Sequence, residues 1–344
     1  MKTLISSRIL ILCLLGPLAG ALIGCGRSGT ELRQPATPGL RVYRIGIASY
    51  APEAAVDRLL EGLFAALEKE GFVRGQNLDV FHKMAGGEIA NIPLMLQSLD
   101  GESLDLIVTL TTPVLASACK AARSAPVVFC YVTDPIAAGA GTTFSDHLPN
   151  VTGDGSLDPV EESFDILMKL KPGLKAVGTL YNPSEANSTK VISLAREAVK
   201  RRGLRLEEAT VNGTSDVLMA AQSLTLRDIE AIWVATDNTA SQAFAAIGTT
   251  ATQAHLPLVA NATEQIPLGA LIAVGPSWRQ VGEITARKAA RVLRGERPKD
   301  IPFENFVGAT VVLNHNLAKQ IGIVFPPEIL ALDGKEAPKG GAGF

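Results

Sequence analysis

Six short clusters of hydroxyls, amides and carboxylates recur along the 344-residue chain, each directly after an apolar run. They are Ser49 and Tyr50; Thr111 and Thr112; Thr133 and Asp134; Tyr181, Asn182, Ser184 and Asn187; Thr236, Asp237, Asn238 and Thr239; and Asn261 and Glu264. All but Thr111 and Thr239 make up the candidate binding set. Such groups exchange hydrogen bonds and carry a few negative charges, which suits the capture of a small zwitterion or polar solute. Taken singly, each cluster is also what an ordinary turn uses, because Asn, Asp, Ser, Thr and Pro all favour turns. Repetition at one structural position is the stronger signal.

The densest cluster is Tyr181-Asn182-Pro183-Ser184-Glu185-Ala186-Asn187, between the apolar run Ala176 to Leu180 and an amphipathic segment ending near Arg202. Pro183 is expected to set φ for a first helical turn, and Ser184 and Asn187 have side chains that satisfy free backbone N–H groups. A helix start of this kind can hold an anion such as an amino-acid carboxylate. An ordinary N-cap is the plain alternative.

Motifs for catalysis are missing from the sequence. It has no glycine-rich phosphate loop with Lys, no His-Glu-x-x-His, no Gly-x-Ser-x-Gly and no paired Cys at metal spacing. His82, His147, His255 and His315 stand singly, and the basic run Lys200-Arg201-Arg202 reads as the solvated end of a helix. No enzyme activity, cofactor or metal is expected. A net charge of −2 and a pI near 6.1 give no electrostatic reason to expect nucleic acid.

The elements that must position the clusters alternate. Strands are expected at Tyr43 to Ser49, Leu78 to His82, Leu104 to Leu110, Pro126 to Val132 and, briefly, Asn150 to Gly153. Helices fall between them, the first opened by Pro52 and closed by Gly71. The pattern begins again with a helix at Val160 to Leu170. Strands follow at Ala176 to Tyr181, Leu204 to Ala209, Ala231 to Ala235, Leu258 to Ala260 and Ala270 to Val274, with one helix running to about His255. Two βα series make an α/β protein of two similar lobes, each a parallel sheet with crossover helices, whose ligands bind outside the carboxyl ends of the strands. A composition of 47% apolar but only 5% aromatic residues suits Ala/Leu/Val cores of this kind. Cys119 is expected on a helix and Cys130 on the next strand, where buried free thiols fit better than a disulfide.

At the start, Lys2 and Arg8 precede an apolar run, Ile9 to Gly24, broken by Gly16, Pro17 and Gly20. It is short for a bilayer span and reads as an export signal over 1–24, with Leu22-Ile23-Gly24-Cys25 as the pattern that makes Cys25 a lipidated first residue. Residues 25–40 form a polar tether. Lobe 1 is expected over 41–150 plus about 278–306, lobe 2 over 151–277 plus about 307–333, and a flexible tail over 334–344.

These residues resemble the solute-binding lipoproteins of ABC importers in the tryptophan/tyrosine-type group. The resemblance runs from Arg44-Ile45-Gly46-Ile47 to Ile321-Gly322-Ile323 and Pro326-Pro327-Glu328-Ile329-Leu330. Within it, Val132-Thr133-Asp134-Pro135, Asn150-Val151-Thr152-Gly153, Leu180 to Ser188 and Thr236-Asp237-Asn238-Thr239 look like family motifs in family order. It implies the type I periplasmic binding protein fold, two Rossmann-like lobes with parallel sheets joined by a multi-strand hinge. It also implies a monomer, outside the cytoplasm and lipid-anchored on the periplasmic side or cell surface, that passes a small-molecule ligand to an ABC permease. The solute would be an amino acid or related carboxylate, with receptor sensing or a nucleoside-like solute as alternatives. Ser184 and Asn187 with nearby helix amides would hold the carboxylate, and Asp237 the ammonium group. The chain departs from the family where Gly275-Pro276-Ser277-Trp278-Arg279 replaces a Gly-Ile-Asp-Tyr-Tyr-like segment, and at Ala262.

Overall fold

The computed structural model describes residues 41–121, 125–306 and 308–337. The signal segment, Cys25 and the tether lie outside the described residues, as do the last seven residues of the tail.

Short apolar runs, too brief for helices and flanked by turn residues, become strands that are fully buried in the middle of each sheet and partly exposed at one edge. The first series is β1 (Tyr43–Ser49), α1 (Ala54–Lys69), β2 (Leu78–Met84), α2 (Ile92–Asp100), β3 (Leu106–Leu110), α3 (Thr112–Lys120), β4 (Val127–Val132) and β5 (Val151–Gly155). The second is α4 (Val160–Leu170), β6 (Ala176–Tyr181), α5 (Ala186–Arg201), β7 (Arg205–Thr210), α6 (Val217–Thr225), β8 (Ala231–Val234), α7 (Asn238–Gln242), α8 (Phe244–Gln253), β9 (Leu258–Ala260) and β10 (Ile272–Gly275). There follow α9 (Trp278–Leu293), β11 (Glu304–Asn305), β12 (Thr310–Leu313), α10 (His315–Ile321) and α11 (Pro327–Leu330).

The strands form two six-stranded sheets, ordered β2-β1-β3-β4-β5-β11 and β7-β6-β8-β9-β10-β12. Every pairing is parallel except β10 with β12. Both lobes therefore repeat one order, and in each the chain reverses direction across the sheet between its first and third strands, where a crevice opens at the carboxyl ends. Ser49 and Thr111 flank that point in lobe 1, and Tyr181 and Thr236 flank it in lobe 2.

The structure corrects three of the sequence expectations. β5 pairs with β4, so lobe 1 extends through Gly155 and does not end at Asn150. The long helix expected to reach His255 is broken at Ala243, whose φ of −111° and ψ of 20° leave the helical region. The helix after β6 begins at Ala186, not Pro183, with Glu185 as its N-cap residue. Cys119 and Cys130 are free thiols. Among the described residues no helix is long and apolar enough to cross a membrane.

The chain crosses between the sheets three times: between Gly155 and Val160, Gly275 and Trp278, and Asn305 and Thr310. After the second crossing α9 returns to lobe 1 and packs on α1, burying Trp278, Val281, Ala286 and Leu293 against Leu59, Leu63 and Leu67. The helices touch because Gly62 and Gly282 lack side chains. A Cβ on either would come within 2.0 Å of a carbonyl oxygen on the other helix, that of Arg279 or Leu59.

From α9, Lys288 reaches under the crossings. Its Nζ lies 2.9 Å from Asp154 Oδ1, donates to Gly153 O and Pro302 O at 3.0 Å each, and lies 3.4 Å from Glu304. Both Lys288 and Asp154 are buried, and a buried charge left without its partner costs about 3–5 kcal/mol. Lys288→Met should lower the unfolding free energy by about that amount in urea titration, and Lys288→Met with Asp154→Leu should recover part of it. Equal losses in the single and double variants would show that the pair is not what holds this strap.

Candidate functional site

Two buried carboxylates organise the lobe 2 wall. Glu185 Oε2 accepts from the Asn238 backbone N–H at 3.0 Å, Asn238 Nδ2 at 2.5 Å and Asn187 Nδ2 at 3.3 Å. Its Oε1 accepts from the Thr239 N–H at 3.0 Å and the Thr239 hydroxyl at 2.7 Å. Asp237 caps α7, Oδ1 accepting from the Ala240 N–H at 2.7 Å, while Oδ2 accepts from the Asn182 N–H at 2.7 Å and the Ser188 hydroxyl at 2.6 Å. Burial pushes the Asp237 carboxyl up to about 7, and the Glu185 charge adds to the rise. Asn182 completes the stitching by donating Nδ2 to Thr239 Oγ1 at 2.9 Å and accepting the Ser184 N–H at 2.9 Å.

This arrangement gives the lobe 2 residues different roles. Asp237 is fully buried with both oxygens engaged, so it ties the end of β6 to the end of β8. Ser184 is exposed and contributes its N–H, while Tyr181 points its hydroxyl to Arg196 at 3.2 Å. Asn187 donates to Thr236 O at 3.1 Å, but its Oδ1, like Thr236 Oγ1 and Asn261 Oδ1, is buried with no hydrogen-bond partner among the described residues. Asn261 Nδ2 donates to Ser163 at 3.3 Å.

In lobe 1 the strand ends are strained. Thr111, at the N-cap position of α3, has φ 83° and ψ 151°, and Tyr131 on the neighbouring β4 has φ 58°. Such conformations cost β-branched and aromatic residues about 1–3 kcal/mol each, and they persist only where surrounding packing enforces them. The Tyr131 ring lies 4.3 Å from that of Trp278, and its hydroxyl donates to Glu53 Oε1 at 3.0 Å. Thr112 Oγ1 accepts the Thr133 N–H at 3.3 Å. Asp134 Oδ1 accepts the N–H groups of Ile136 and Ala137 at 3.0 and 2.9 Å. Ser49 shares a 2.8 Å hydrogen bond with His82, and Tyr50 donates to Gly87 O at 2.5 Å. Burial and the Glu185 charge both raise the Tyr50 hydroxyl's pKa.

Contacts across the cleft bring the two walls together. Lys190 of α5 lies 3.5 Å from Asp134 of lobe 1. Gln242 of α7 lies against Gly87, where a Cβ would come within 2.4 Å of its Oε1. Glu53, the N-cap residue of α1, is pushed up to about 7, chiefly by burial. The Glu264 and Glu185 charges raise it further, against hydrogen bonds from Tyr131 and Ser241. Asp158, on the first crossing, accepts the Thr236 N–H at 2.7 Å and is pushed up to about 6 by burial. Burial also raises Glu264.

Sequence reasoning therefore located the strand ends but missed Glu53, Asp158, Tyr131 and the anchoring role of Glu185. Glu185 had one available signal, its place within the densest polar cluster. Glu53 and Tyr131 had none, since 78 residues separate them.

The family model for "ABC transporter substrate binding protein" matches residues 44–336. A tyrosine-binding protein of Clostridioides difficile (strain R20291) is 24% identical over 320 residues, 92% of each chain. A Streptococcus pneumoniae ABC domain solved in complex with L-Trp is 26% identical, covering 86% of this chain and 99% of that one, with a TM-score of 0.81. A ligand-free, open substrate binding protein with adhesive properties from Clostridium difficile is 27% identical, covering 83% and 97%, with a TM-score of 0.65. At similar identity, the fold of this chain superposes better on the L-Trp complex than on the open form.

Glu53, Asp158 and Asp237 hold protons more readily in the folded chain than an unfolded carboxyl, which titrates near pH 4. Between roughly pH 4 and 7 the folded state binds protons that the unfolded state does not, so stability falls as pH rises through that window. The ligand-free protein should melt higher at pH 5.5 than at pH 8, and Glu53→Gln should narrow the difference. A melting temperature that climbs steadily from pH 5.5 to 8 would contradict these shifts.

Proposed function

The chain belongs to the ABC transporter substrate binding protein family, and from that premise we propose that it captures an amino acid in its interlobe cleft for a membrane permease. The observation that carries the reading is the facing of two polar walls at the carboxyl ends of both sheets, already in contact at Asp134–Lys190 and Gly87–Gln242. Tyr50, Thr112, Thr133, Asn187, Thr236, Asn238, Asn261 and Glu264 are proposed to line the cleft. Ser49, Tyr181, Asn182, Ser184 and Asp237 shape it from behind or at its rim. Capture requires binding and closure, with no bond-making step. The named ligands of two relatives, tyrosine and L-Trp, make aromatic amino acids the first to test. The protein is further proposed to act outside the cytoplasm as a monomer, held to the membrane by acylated Cys25.

A ligand present at 100-fold excess over its Kd and bound only by the folded state stabilises it by about 2.7 kcal/mol. L-tyrosine or L-tryptophan should therefore raise the melting temperature by several degrees in a thermal-shift screen. Shifts confined to nucleosides or sugars would refute the amino-acid reading. In the same expression host, Cys25→Ser should move the protein out of the membrane fraction, and wild-type protein found wholly soluble and unmodified would remove the anchor.

A further inference from the structure

Lobe 2 meets lobe 1 at the end of α7. The start of this five-residue helix is fixed in its own lobe, where Glu185 gathers the N–H groups of Asn238 and Thr239 and Asp237 accepts that of Ala240. Its end is broken at Ala243, which leaves Ser241 and Gln242 in the last turn. Both side chains reach lobe 1. Gln242 lies against Gly87, and the Ser241 hydroxyl donates to the Glu53 carboxyl. Ser241 Oγ in turn accepts from Gln265 Nε2 at 3.3 Å, so its own proton is left for Glu53.

Lobe 1 prepares both seats with the segment after β1. Tyr50 braces the Gly87 turn from two sides, its O accepting the Gly87 N–H at 2.9 Å and its hydroxyl donating to Gly87 O at 2.5 Å. Three residues on, Glu53 is fixed by the Tyr131 hydroxyl at 3.0 Å. A chain of hydrogen bonds therefore runs from Tyr131 through Glu53 and Ser241 to Gln265, two members from each lobe.

The surroundings of Glu53 are acidic. Glu264 and Glu185 of lobe 2 act on it, and Asp158 on the first crossing acts on the Tyr131 hydroxyl that binds it. Charges on the flanking elements are engaged elsewhere. Arg58 acts on Glu264 but is exposed and paired with Glu61, Arg279 of α9 pairs with Glu283, and Asp57 acts on His82 of β2. Burial, with the Glu264 and Glu185 charges added to it, pushes the Glu53 carboxyl up to about 7. Opening the cleft carries the lobe 2 acids away and admits water, which returns Glu53 toward the ordinary value of about 4.3.

We infer that α7 is a latch between the lobes and Glu53 its proton-sensitive catch: with a proton on Glu53 the latch holds the cleft shut, and without it the facing acids push the cleft open. This rests on the capture by closure proposed above and adds a control that needs no ligand. Closing takes up a proton wherever the pH lies between the open and closed values of Glu53, so acid favours the closed form and a higher pH the open one. For this one group, going from pH 5.5 to pH 8 lowers the closed-to-open ratio by up to about thirtyfold.

Distances between spin labels at Leu94 and Met219 test this on the ligand-free full chain. Both residues are exposed, one on α2 beside edge strand β2 and the other on α6 beside edge strand β7, at the sheet edges farthest from the crossings. Labels carried on non-natural residues leave Cys119 and Cys130 unmodified. Wild type at pH 5.5 should show chiefly the shorter distance, and a longer one should grow in as the pH rises to 8. Glu53→Gln is neutral throughout and keeps an acceptor for Tyr131 and Ser241, so it should hold the shorter distance at both values. Ser241→Ala and Gln242→Ala should each raise the longer-distance population at both, with melting curves to check the fold of every variant. A wild-type distribution unchanged between pH 5.5 and 8 would overturn the catch even if Glu53→Gln failed to fold, as would a pH response in Glu53→Gln as large as in wild type. Distances unchanged in both Ser241→Ala and Gln242→Ala would overturn the latch. None of these outcomes bears on which solute is captured, which the thermal-shift screen decides separately.

Discussion

The buried carboxylate of Glu185, accepting from Asn238, Thr239 and Asn187, is the interaction on which the cleft depends. Parallel strands end with unpaired backbone groups, and a helix that follows begins with more of them. In lobe 2 these donors converge on Glu185 and on Asp237, which joins the ends of β6 and β8 through Asn182 and Ser188. Burial, with the Glu185 charge adding to it, raises the Asp237 carboxyl to about 7, and the converging donors offset part of that cost. The amides at the start of α7 are thus spent on protein carboxylates, which braces this part of the lobe 2 wall.

Lobe 1 is held by a different set of contacts. Its strand order is the same, yet the residues at the ends of β3 and β4 hold left-handed conformations at Thr111 and Tyr131, and the Thr111 hydroxyl has no partner among the described residues. Strain of this kind is kept where packing over-determines the backbone. Here Tyr131 is held by Trp278 on one side and Glu53 on the other. Trp278 opens α9 immediately after the second crossing, so the geometry of the hinge and of the lobe 1 wall are set by the same ring. Lys288 fixes the other two crossings from beneath, through Gly153 O, Asp154, Pro302 O and Glu304.

Much of this architecture could be read in the sequence, because buried parallel strands leave short apolar runs and their ends leave polar clusters. The expected strands at Tyr43–Ser49, Ala176–Tyr181 and Leu258–Ala260 match the structure to the residue. The misplaced features depend on partners distant in the chain. β5 joins lobe 1 because it pairs with β4, and β11, two residues long, exists only through β5. Pro183 and Ser184 are expected to start the helix, but it begins at Ala186, and Asn238 and Thr239, which gather the Glu185 carboxylate, lie more than fifty residues away. Glu53 stands alone in the sequence and acquires meaning only when Tyr131 and Glu264 are brought to it.

Closure rests on a small set of contacts between lobes, Asp134 with Lys190 and Gly87 with Gln242, set against acids that face one another from both sides. A ligand that bridges the walls changes that balance by its difference in affinity for the open and closed forms. The most direct measurement is a crystal structure of the protein grown with L-tryptophan or L-tyrosine. The account predicts an amino acid between the strand ends of the two lobes, in contact with residues of both walls. A ligand seated outside the cleft, or one touching a single lobe, would contradict it.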